Sequence, residues 1–371
     1  MSLRTTLALI VSLAAACAAD EPPADVQPQA SADAAGIVDV SPGTSPRGAD
    51  ASDALTPEDV GHPTDTADAA DVSASGVDAD ASPSFDAADA ADTAQPDGGE
   101  IAPDTGPPRW NPPEPGGCNG WLALCDRPYD QVSYATAHNA MSSDMDGWFF
   151  ANQHLDVPHQ LALGIRGLML DVHPDKGDVA LCHGTCLAGS QPLVEGLAEI
   201  RAFLDDNRRE VVTLILESYV PPMDVAQRFE DADLAHYAHA HTPGTPWPTL
   251  GALVDAGERL VVLSDNAGGP PWHMDVWEHA FETHYHFESV AELSCDPNRG
   301  DPANPLFILN HFLTSPIASQ ELAEQVNHNP LLWDRAVACQ ADVKHLPTFL
   351  TLDFVDIGDL IPVVDALNKV P

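Results

Sequence analysis

Aromatic side chains are nearly missing from the first third of this chain of 371 residues. Between Ala18 and Gly117 the aromatic residues are Phe85 and Trp110, and most other positions are Ala, Asp, Pro, Ser, Thr or Gly. A segment of this composition cannot bury enough apolar surface to form a core. We therefore predict that residues 17–117 form a long disordered acidic tether and that residues 118–371 form one folded domain.

Basic residues are also scarce, with 15 Lys and Arg against 57 Asp and Glu. The predicted folded domain alone has 36 acidic and 12 basic residues. This charge argues against nucleic acid as a partner, because a polyanion would be repelled. It also means that an anionic lipid must be bound at a local site.

No apolar run in the sequence is long enough to span a membrane. Residues 1–16 instead have the pattern of an export signal, with Arg4, an apolar run from Leu7 to Leu13 and three alanines before Cys17. A Cys at this place resembles that of a bacterial lipoprotein signal, which implies that Cys17 is lipidated and anchors the exported protein to a membrane. Plain cleavage, which would give a secreted protein, is the alternative.

Six further cysteines follow, and an even number favours disulfide bonds in an exported chain. Their spacing suggests the pairs Cys118 with Cys125, Cys182 with Cys186, and Cys295 with Cys339. Zinc binding by Cys182-His183-x-x-Cys186 is the rival, but the other cysteines do not supply a second pair at zinc-finger spacing.

From residue 132 onward, short apolar runs alternate with amphipathic segments, which is the pattern of βα units around a parallel sheet. The predicted strands are 132–137, 167–172, 179–182, 211–217, 259–264, 306–310 and 349–354. The predicted helices are 154–163, 192–206, 223–232, 250–256, 274–283, 319–327 and 358–368. Together with a length of about 250 residues, this predicts an α/β fold, a (β/α)8 TIM-like barrel, regular or irregular.

Polar side chains gather at the carboxyl ends of the predicted strands, the end that carries the chemistry of a parallel barrel. They are His138, Asn139, Asp171, His183, Glu217, Asp265 and Asp353. Two histidines at such strand ends can serve as base and acid in phosphodiester cleavage, one taking a proton from the attacking hydroxyl and one protonating the leaving oxygen.

Four segments around these residues come in a fixed order: 137–139, 164–171, 181–184 and 213–217. This order resembles the X domain of phosphatidylinositol-specific phospholipase C. Segments 118–120, 124–127 and 295–299 make the chain more similar to the single-domain relatives that contain an X domain. The resemblance covers about residues 118–356. It implies a phosphodiesterase that acts on a phospholipid, with phosphatidylinositol as the first candidate, and that forms a cyclic phosphate.

The resemblance also implies roles for individual residues. His138 would be the general base, His183 the general acid, and Asp353 the carboxylate that orients the first histidine. Asp171 stands where the calcium-dependent branch has an Asp and the metal-independent branch an Arg. With Asn139 and Glu217 it would supply oxygen ligands to a divalent cation, Ca²⁺ or else Mg²⁺.

Met169 departs from the calcium-dependent pattern, which has a second acid at that position, and this lowers the expected affinity for the cation. Arg166 is predicted to bind a phosphate or carboxylate, with an internal ion pair as the alternative. His173 could face the phosphate or the solvent. Two further groups stay open: a metal site or a solvated helix end at His236, His239 and His241, and an apolar lip or core packing at Trp148, Phe149 and Phe150.

Two other functions stay open at this stage. One is a phosphodiesterase of the glycerophosphodiester or sphingomyelinase D kind on the same barrel, which would favour Glu-x-Asp at Met169 to Asp171. The other is a surface protein that binds lipid or phosphate and has little catalytic activity, which the loss of an acid at Met169 favours. We expect a monomer in each case.

Overall fold

The structure is a computed structural model that describes residues 114–371. The predictions for the export signal, for Cys17 and for nearly all of the tether lie outside the described residues. Within them, the strands are β1 Tyr134–Ala137, β2 Gly167–Asp175, β3 Asp178–Leu181, β4 Gln191–Pro192, β5 Val212–Ser218, β6 Leu260–Ser264, β7 His273–Asp275, β8 Ala280–Thr283, β9 Pro297–Gly300, β10 Leu306–Asn310 and β11 Pro347–Leu352.

The helices are α1 Leu122–Cys125, α2 Val157–Leu163, α3 Leu193–Asp206, α4 Pro222–Asp231, α5 Leu250–Ala256, α6 Val276–His279, α7 Gln320–Val326, α8 Leu331–Val343 and α9 Leu360–Leu367. Short 3-10 turns lie at Tyr129–Gln131, Ala235–Tyr237 and Val290–Glu292. None of the helices in residues 114–371 is long and apolar enough to cross a membrane.

The strands form one sheet in the order β7-β6-β5-β2-β1-β11-β10-β8-β9. The neighbours from β7 to β8 are all parallel, and β9 pairs antiparallel with β8. The antiparallel strands β3 and β4 extend β2. This confirms the predicted α/β barrel, which is open between β7 and β8, the two parallel strands at the ends of this order.

Side chains of the parallel strands alternate between the helices and the barrel interior. On β2, Leu168 and Leu170 pack against the outer helices, whereas Met169 contacts the interior cluster that contains Ile215 and Phe349. Asp171 follows Met169 by two positions and therefore faces inward as well. The same parity puts the polar residues at the carboxyl ends of the other strands into the mouth of the barrel.

The predicted strands are all found, with ends that shift by up to three residues. The predicted helix 274–283 is wrong, because the chain there forms β7, the single turn α6 and β8. Its apolar positions fit a helical period, but each of the two short strands pairs with a parallel neighbour, and Asp275 caps α6 through the N–H of Trp277. The sequence also did not predict α8, β4 or β9.

All three predicted disulfide bonds are present: Cys118–Cys125, Cys182–Cys186 and Cys295–Cys339. Pairing of Cys182 with Cys186 rules out the rival zinc site at these two thiols, because a disulfide sulfur is not available as a thiolate ligand. The third bond ties the loop before β9 to α8.

Candidate active site

His138 lies directly after β1, and a carboxylate and an aromatic ring hold its imidazole. Its Nδ1 is 2.9 Å from Oδ1 of Asp353, which follows the adjacent strand β11. Asp353 is 3% exposed, and the Asn152 side chain donates a second hydrogen bond of 3.0 Å to the same oxygen. The imidazole stacks on Phe312 with 4.0 Å between ring centroids. The carboxylate therefore fixes Nδ1, which leaves Nε2 as the nitrogen that faces the mouth of the barrel.

The side chain of Asn139 brings the second histidine to the first. We assign its amide with Oδ1 toward the histidines, 3.3 Å from Nε2 of His138 and 3.2 Å from Nε2 of His183, because each amide atom then has partners. In this orientation Nδ2 donates to the Asp171 carboxylate at 3.2 and 3.3 Å. One atom thus contacts both rings, so the two Nε2 atoms cannot lie farther apart than these two distances laid end to end.

Carboxylates form the neighbouring wall of the mouth. Asp171 on β2 and Glu217 on β5 are direct partners in the parallel register, and Asp265 follows β6, the next strand. Burial raises the pKa of the half-buried Asp171 well above its usual range, and the charges of Glu217 and Asp265 raise it further. The hydroxyl of Tyr219 donates a hydrogen bond to Glu217. The wall is therefore a place where negative charges repel one another.

These positions include all three predicted metal ligands, Asn139, Asp171 and Glu217. Within residues 114–371 no three side chains of the His, Cys, Asp and Glu types form a group arranged to hold a metal ion. The predicted ligands are two carboxylates and one amide, so they do not form a group of three His, Cys, Asp or Glu side chains. Met169 contributes only an apolar contact to the barrel interior.

Withdrawal of His183 from water lowers the pKa of its imidazole to about 4. A positive charge on His138 lowers this pKa further, and one on His173 does so more weakly, while the Asp353 carboxylate opposes them. The ring is therefore neutral at pH 7 when nothing is bound. His173 itself stacks on Tyr219, with 4.3 Å between ring centroids, and lies on the inward side of β2 two residues after Asp171.

Arg166 lies away from this site, which corrects the prediction that it binds the substrate phosphate. It precedes β2, so it lies at the amino ends of the strands, and its Nε donates to Glu210 at 2.8 Å. Its Nη1 also donates to the carbonyl oxygens of Leu161 and Ile165, both at 2.7 Å. The alternative of an internal ion pair is the one that the structure contains.

A different cation, Arg299, reaches the carboxyl ends of the strands. It lies in segment 295–299, which carries part of the family resemblance, but the sequence analysis assigned it no role. Its Nε donates to Glu282, an inward residue of β8 that is 2% exposed, and its guanidinium lies over the rings of Trp277 and Tyr285 at 4.7 and 4.6 Å. Gly300 allows this approach, since a Cβ there would lie 2.2 Å from the carbonyl oxygen of Ala280.

The other histidines singled out in the sequence do not join the site. His239 contacts Glu258 at 2.7 Å and its N–H donates to Leu260, the first residue of β6, so it lies at the amino ends of the strands. His241 stacks on Trp247 at 3.7 Å between ring centroids. His236 is near Asp233 on the surface.

An apolar lip borders the site. We use this name for the exposed side chains of Phe149, Phe150 and Leu187, which are 68%, 39% and 87% exposed. Trp148 is not part of it, because its ring is buried against Gly189, where a Cβ would lie 2.3 Å from the indole. The N–H of Phe149 donates to Ala188 at 2.8 Å, so the loop after His138 and the loop after His183 are joined beneath the lip.

Residues 124–368 match the protein-family model described as PI-PLC X 1. A PI-PLC X domain-containing protein of Arabidopsis thaliana is 30% identical over 273 residues, which cover 65% of this chain and 62% of that protein. PI-PLC X domain-containing protein 1 of Arthroderma benhamiae is 27% identical over 275 residues, 68% of this chain and 89% of that protein. An uncharacterized secreted protein of the same organism is 28% identical over 272 residues, 66% of this chain and 61% of that protein.

This chain thus spans less than two thirds of the length of the first and third of these relatives. Among solved structures, the phosphatidylinositol-specific phospholipase C from Listeria monocytogenes is 15% identical, with a TM-score of 0.44 over 66% of this chain and 94% of that one. A point mutant of the corresponding Staphylococcus aureus enzyme is 12% identical, with a TM-score of 0.49 over 69% and 98%. At these identities the likeness is one of fold alone.

Proposed function

The chain belongs to the PI-PLC X domain family, and from this premise we propose that it is a phosphodiesterase that removes the head group of a phospholipid, best phosphatidylinositol. The observation that carries the proposal is the approach of His138 and His183 to one amide oxygen, at 3.3 and 3.2 Å from the two Nε2 atoms. Two imidazoles this close can both contact one phosphate group, which is what acid-base cleavage of a phosphodiester requires.

In the proposed reaction, the head-group hydroxyl next to the phosphate replaces the Asn139 amide oxygen as the partner of Nε2 of His138. The proton of the neutral imidazole is then on Nδ1, where it is donated to Asp353, and Nε2 takes the proton from the hydroxyl. The hydroxyl oxygen attacks phosphorus and forms a new P–O bond, and the bond from phosphorus to the glycerol oxygen breaks. His183 gives its proton to that oxygen, so diacylglycerol and a cyclic phosphate leave. Asp353 stabilises the positive charge that His138 acquires, because its carboxylate lies 2.9 Å from Nδ1.

His183 must carry a proton when the leaving oxygen departs, although its pKa is lowered to about 4 before substrate binds. An anionic phosphodiester beside the ring favours the charged imidazole and raises that pKa. Substrate binding therefore supports the protonated form. This arrangement keeps the acid neutral in the free protein and charges it where the phosphate lies.

We further propose that Asn139, Asp171 and Glu217 hold a divalent cation, with Ca²⁺ the first choice and Mg²⁺ the second. These residues fit a hard cation. Burial and the negative charges of Glu217 and Asp265 raise the pKa of Asp171, and a bound cation would offset the repulsion among these carboxylates. If the Asn139 amide is turned over, its oxygen faces the Asp171 carboxylate at 3.2 and 3.3 Å, and only a shared cation or proton stabilises such a group of oxygens. When bound, the cation would neutralise charge that develops on the phosphate.

The apolar lip supports a lipid as the substrate. Its three side chains lie on the loops that follow His138 and His183, and exposed apolar groups of this size at a mouth are typical of contact with lipid or protein. Export agrees with the three disulfide bonds of the chain and with the name of a secreted relative. Anchoring through a lipidated Cys17 stays a proposal.

The test is to incubate the purified chain with phosphatidylinositol, sphingomyelin or glycerophosphocholine, with and without chelator, and to identify products by phosphorus NMR. A cyclic inositol phosphate that disappears in His138→Ala and His183→Ala, but not in the surface control His236→Ala, supports the proposal. A cyclic ceramide phosphate or glycerol phosphate would point to the sphingomyelinase D or glycerophosphodiester kind instead. Binding of lipid with no product would indicate a surface binding protein.

A further inference from the structure

His183 lies inside a very small covalent ring. The Cys182–Cys186 disulfide closes five residues, and His183 is the second of them, followed by Gly184 and Thr185. Gly184 has a φ of +63°, a backbone conformation that glycine adopts without strain. Of the other two disulfides in residues 114–371, Cys118–Cys125 encloses no residue of the site, and Cys295–Cys339 closes a much longer stretch of chain that includes Arg299 and Phe312.

The ring is attached firmly at one end. Cys182 is fully buried, and its N–H donates to the carbonyl oxygen of Asp171 at 3.2 Å, so this residue is fixed to the inward-facing part of β2. At the other end, Cys186 is half-buried and Leu187 is 87% exposed, so the chain leaves the ring toward solvent. The disulfide bonds Cys186, at the exposed end, to Cys182, at the fixed end.

The two histidines of the site are held by different means. His138 has a carboxylate at Nδ1 and an aromatic ring against its face. Within residues 114–371, the hydrogen-bond contact of the His183 side chain is the one to Asn139, and no carboxylate accepts from its Nδ1. The disulfide ring is therefore the covalent constraint on the main chain that carries the His183 imidazole.

We propose that the Cys182–Cys186 disulfide is a positioning device for His183, which holds the imidazole where it can protonate the leaving oxygen. This inference rests on the proposed function, because it assigns the proton donor of that reaction to His183. Opening the ring would release the backbone dihedrals from His183 to Cys186. The imidazole would then spend less time within reach of the leaving oxygen, and a displacement of about 1 Å can lower a rate by about a hundredfold.

Two substrates with different leaving groups can show whether the disulfide positions the acid or only stabilises the fold. Diacylglycerol leaves as an alkoxide, which needs a proton, whereas nitrophenolate leaves without one. An enzyme with a displaced acid is therefore slow on phosphatidylinositol but nearly normal on a nitrophenyl ester of inositol phosphate. Partial unfolding lowers both rates by the same factor, so the ratio of the two rates does not depend on the folded fraction.

The experiment compares kcat on these two substrates for Cys182→Ser/Cys186→Ser and for Cys118→Ser/Cys125→Ser. The second pair is a matched control, because that disulfide lies at the amino ends of the strands, where Asn119 binds the main chain of Val211 before β5. We expect the first variant to lose about 10- to 100-fold on phosphatidylinositol and less than about threefold on the nitrophenyl ester, with KM unchanged. The control should keep the wild-type ratio.

Reduction of the wild-type protein provides a second arm that needs no substitution. A dithiol reductant such as dithiothreitol converts the disulfide to two cysteine thiols and is itself oxidised to its cyclic disulfide. Reduction should shift the ratio of the two rates in the same direction as the first variant, and removal of the reductant in air should restore it. The Cys182→Ser/Cys186→Ser variant, in which this disulfide is already absent, should show no further shift on reduction, and a further shift would assign the effect to Cys295–Cys339.

His183→Ala separates the failure of this proposal from that of the proposed function. If wild type cleaves neither substrate, or if His183→Ala loses both activities equally, the assignment of His183 as the acid fails. If His183→Ala shows the selective loss but Cys182→Ser/Cys186→Ser keeps the wild-type ratio, the positioning role is overturned while the function stands.

Discussion

Replacement of Asp353 by Asn should lower kcat on phosphatidylinositol with little change in KM. The carboxylate lies 2.9 Å from Nδ1 of His138 and is 3% exposed, so it contacts the imidazole in a place that water barely reaches. The amide of Asn has the same shape but no charge. Its loss is felt when His138 becomes positively charged, which happens during proton abstraction rather than during binding.

The size of the effect follows from the distance between the two groups. Two unit charges 2.9 Å apart interact with about 6 kcal/mol at an effective dielectric of about 20 and about 1.4 kcal/mol in water. The His138 side chain is 23% exposed, so the interaction lies between these limits. We take about 3 kcal/mol, which corresponds to roughly a hundredfold loss in kcat.

The chain contains a matched control three residues away. Oδ2 of Asp356 also lies 2.9 Å from Nδ1 of a histidine, His154, but this pair is outside the mouth. Asp356→Asn should therefore keep wild-type kcat in the phosphorus NMR assay. In a His138→Ala background, Asp353→Asn should cause no further loss, because the charge that it stabilises is gone. A kcat for Asp353→Asn within about threefold of wild type, or equal losses in the two Asn variants, would refute this reasoning.

Three further outcomes are expected. In NMR titrations of the free protein, the His183 ring should change protonation near pH 4, so that it is neutral at pH 7. With a bound phosphonate analogue it should change protonation at a higher pH. A pKa of His183 near 6.5 in the free protein would contradict its burial. Calcium at a hundred times its Kd should stabilise the wild-type protein by about 2.7 kcal/mol and raise its Tm, but should not raise the Tm of Asp171→Asn. Met169→Glu should lower the Kd for calcium. Equal shifts in Tm for all three proteins would exclude the site. The double variant Leu187→Ser/Phe149→Ser should cleave phosphatidylinositol in vesicles about tenfold more slowly but cleave a short-chain soluble substrate at the wild-type rate. Equal losses on both substrates would show that the lip does not contact lipid.

The sequence alone determined the barrel class, the disulfide pairs and most of the site. The strand Leu306–Asn310 is a short run of four apolar residues that ends in Asn, and its shortness and flanking turn residues favour a strand over a helix. Side chains placed directly after parallel strands share one end of the sheet, so the approach of His138, Asp171 and Glu217 was already contained in their order along the chain. The disulfide partners were close in sequence in two of three cases.

Tertiary structure decided what depends on pairing between distant segments. Arg166 and Arg299 are both arginines beside strands, and only the direction of each strand in the barrel put the first near Glu210 and the second near Glu282. The segment 274–283 has an apolar pattern that a helix could bury, and it became two strands because parallel neighbours were available on both sides. A side chain's residue type is local information, whereas the partners that it meets are set by the whole chain. For this reason Arg166 was misplaced, while His138 and His183 were not.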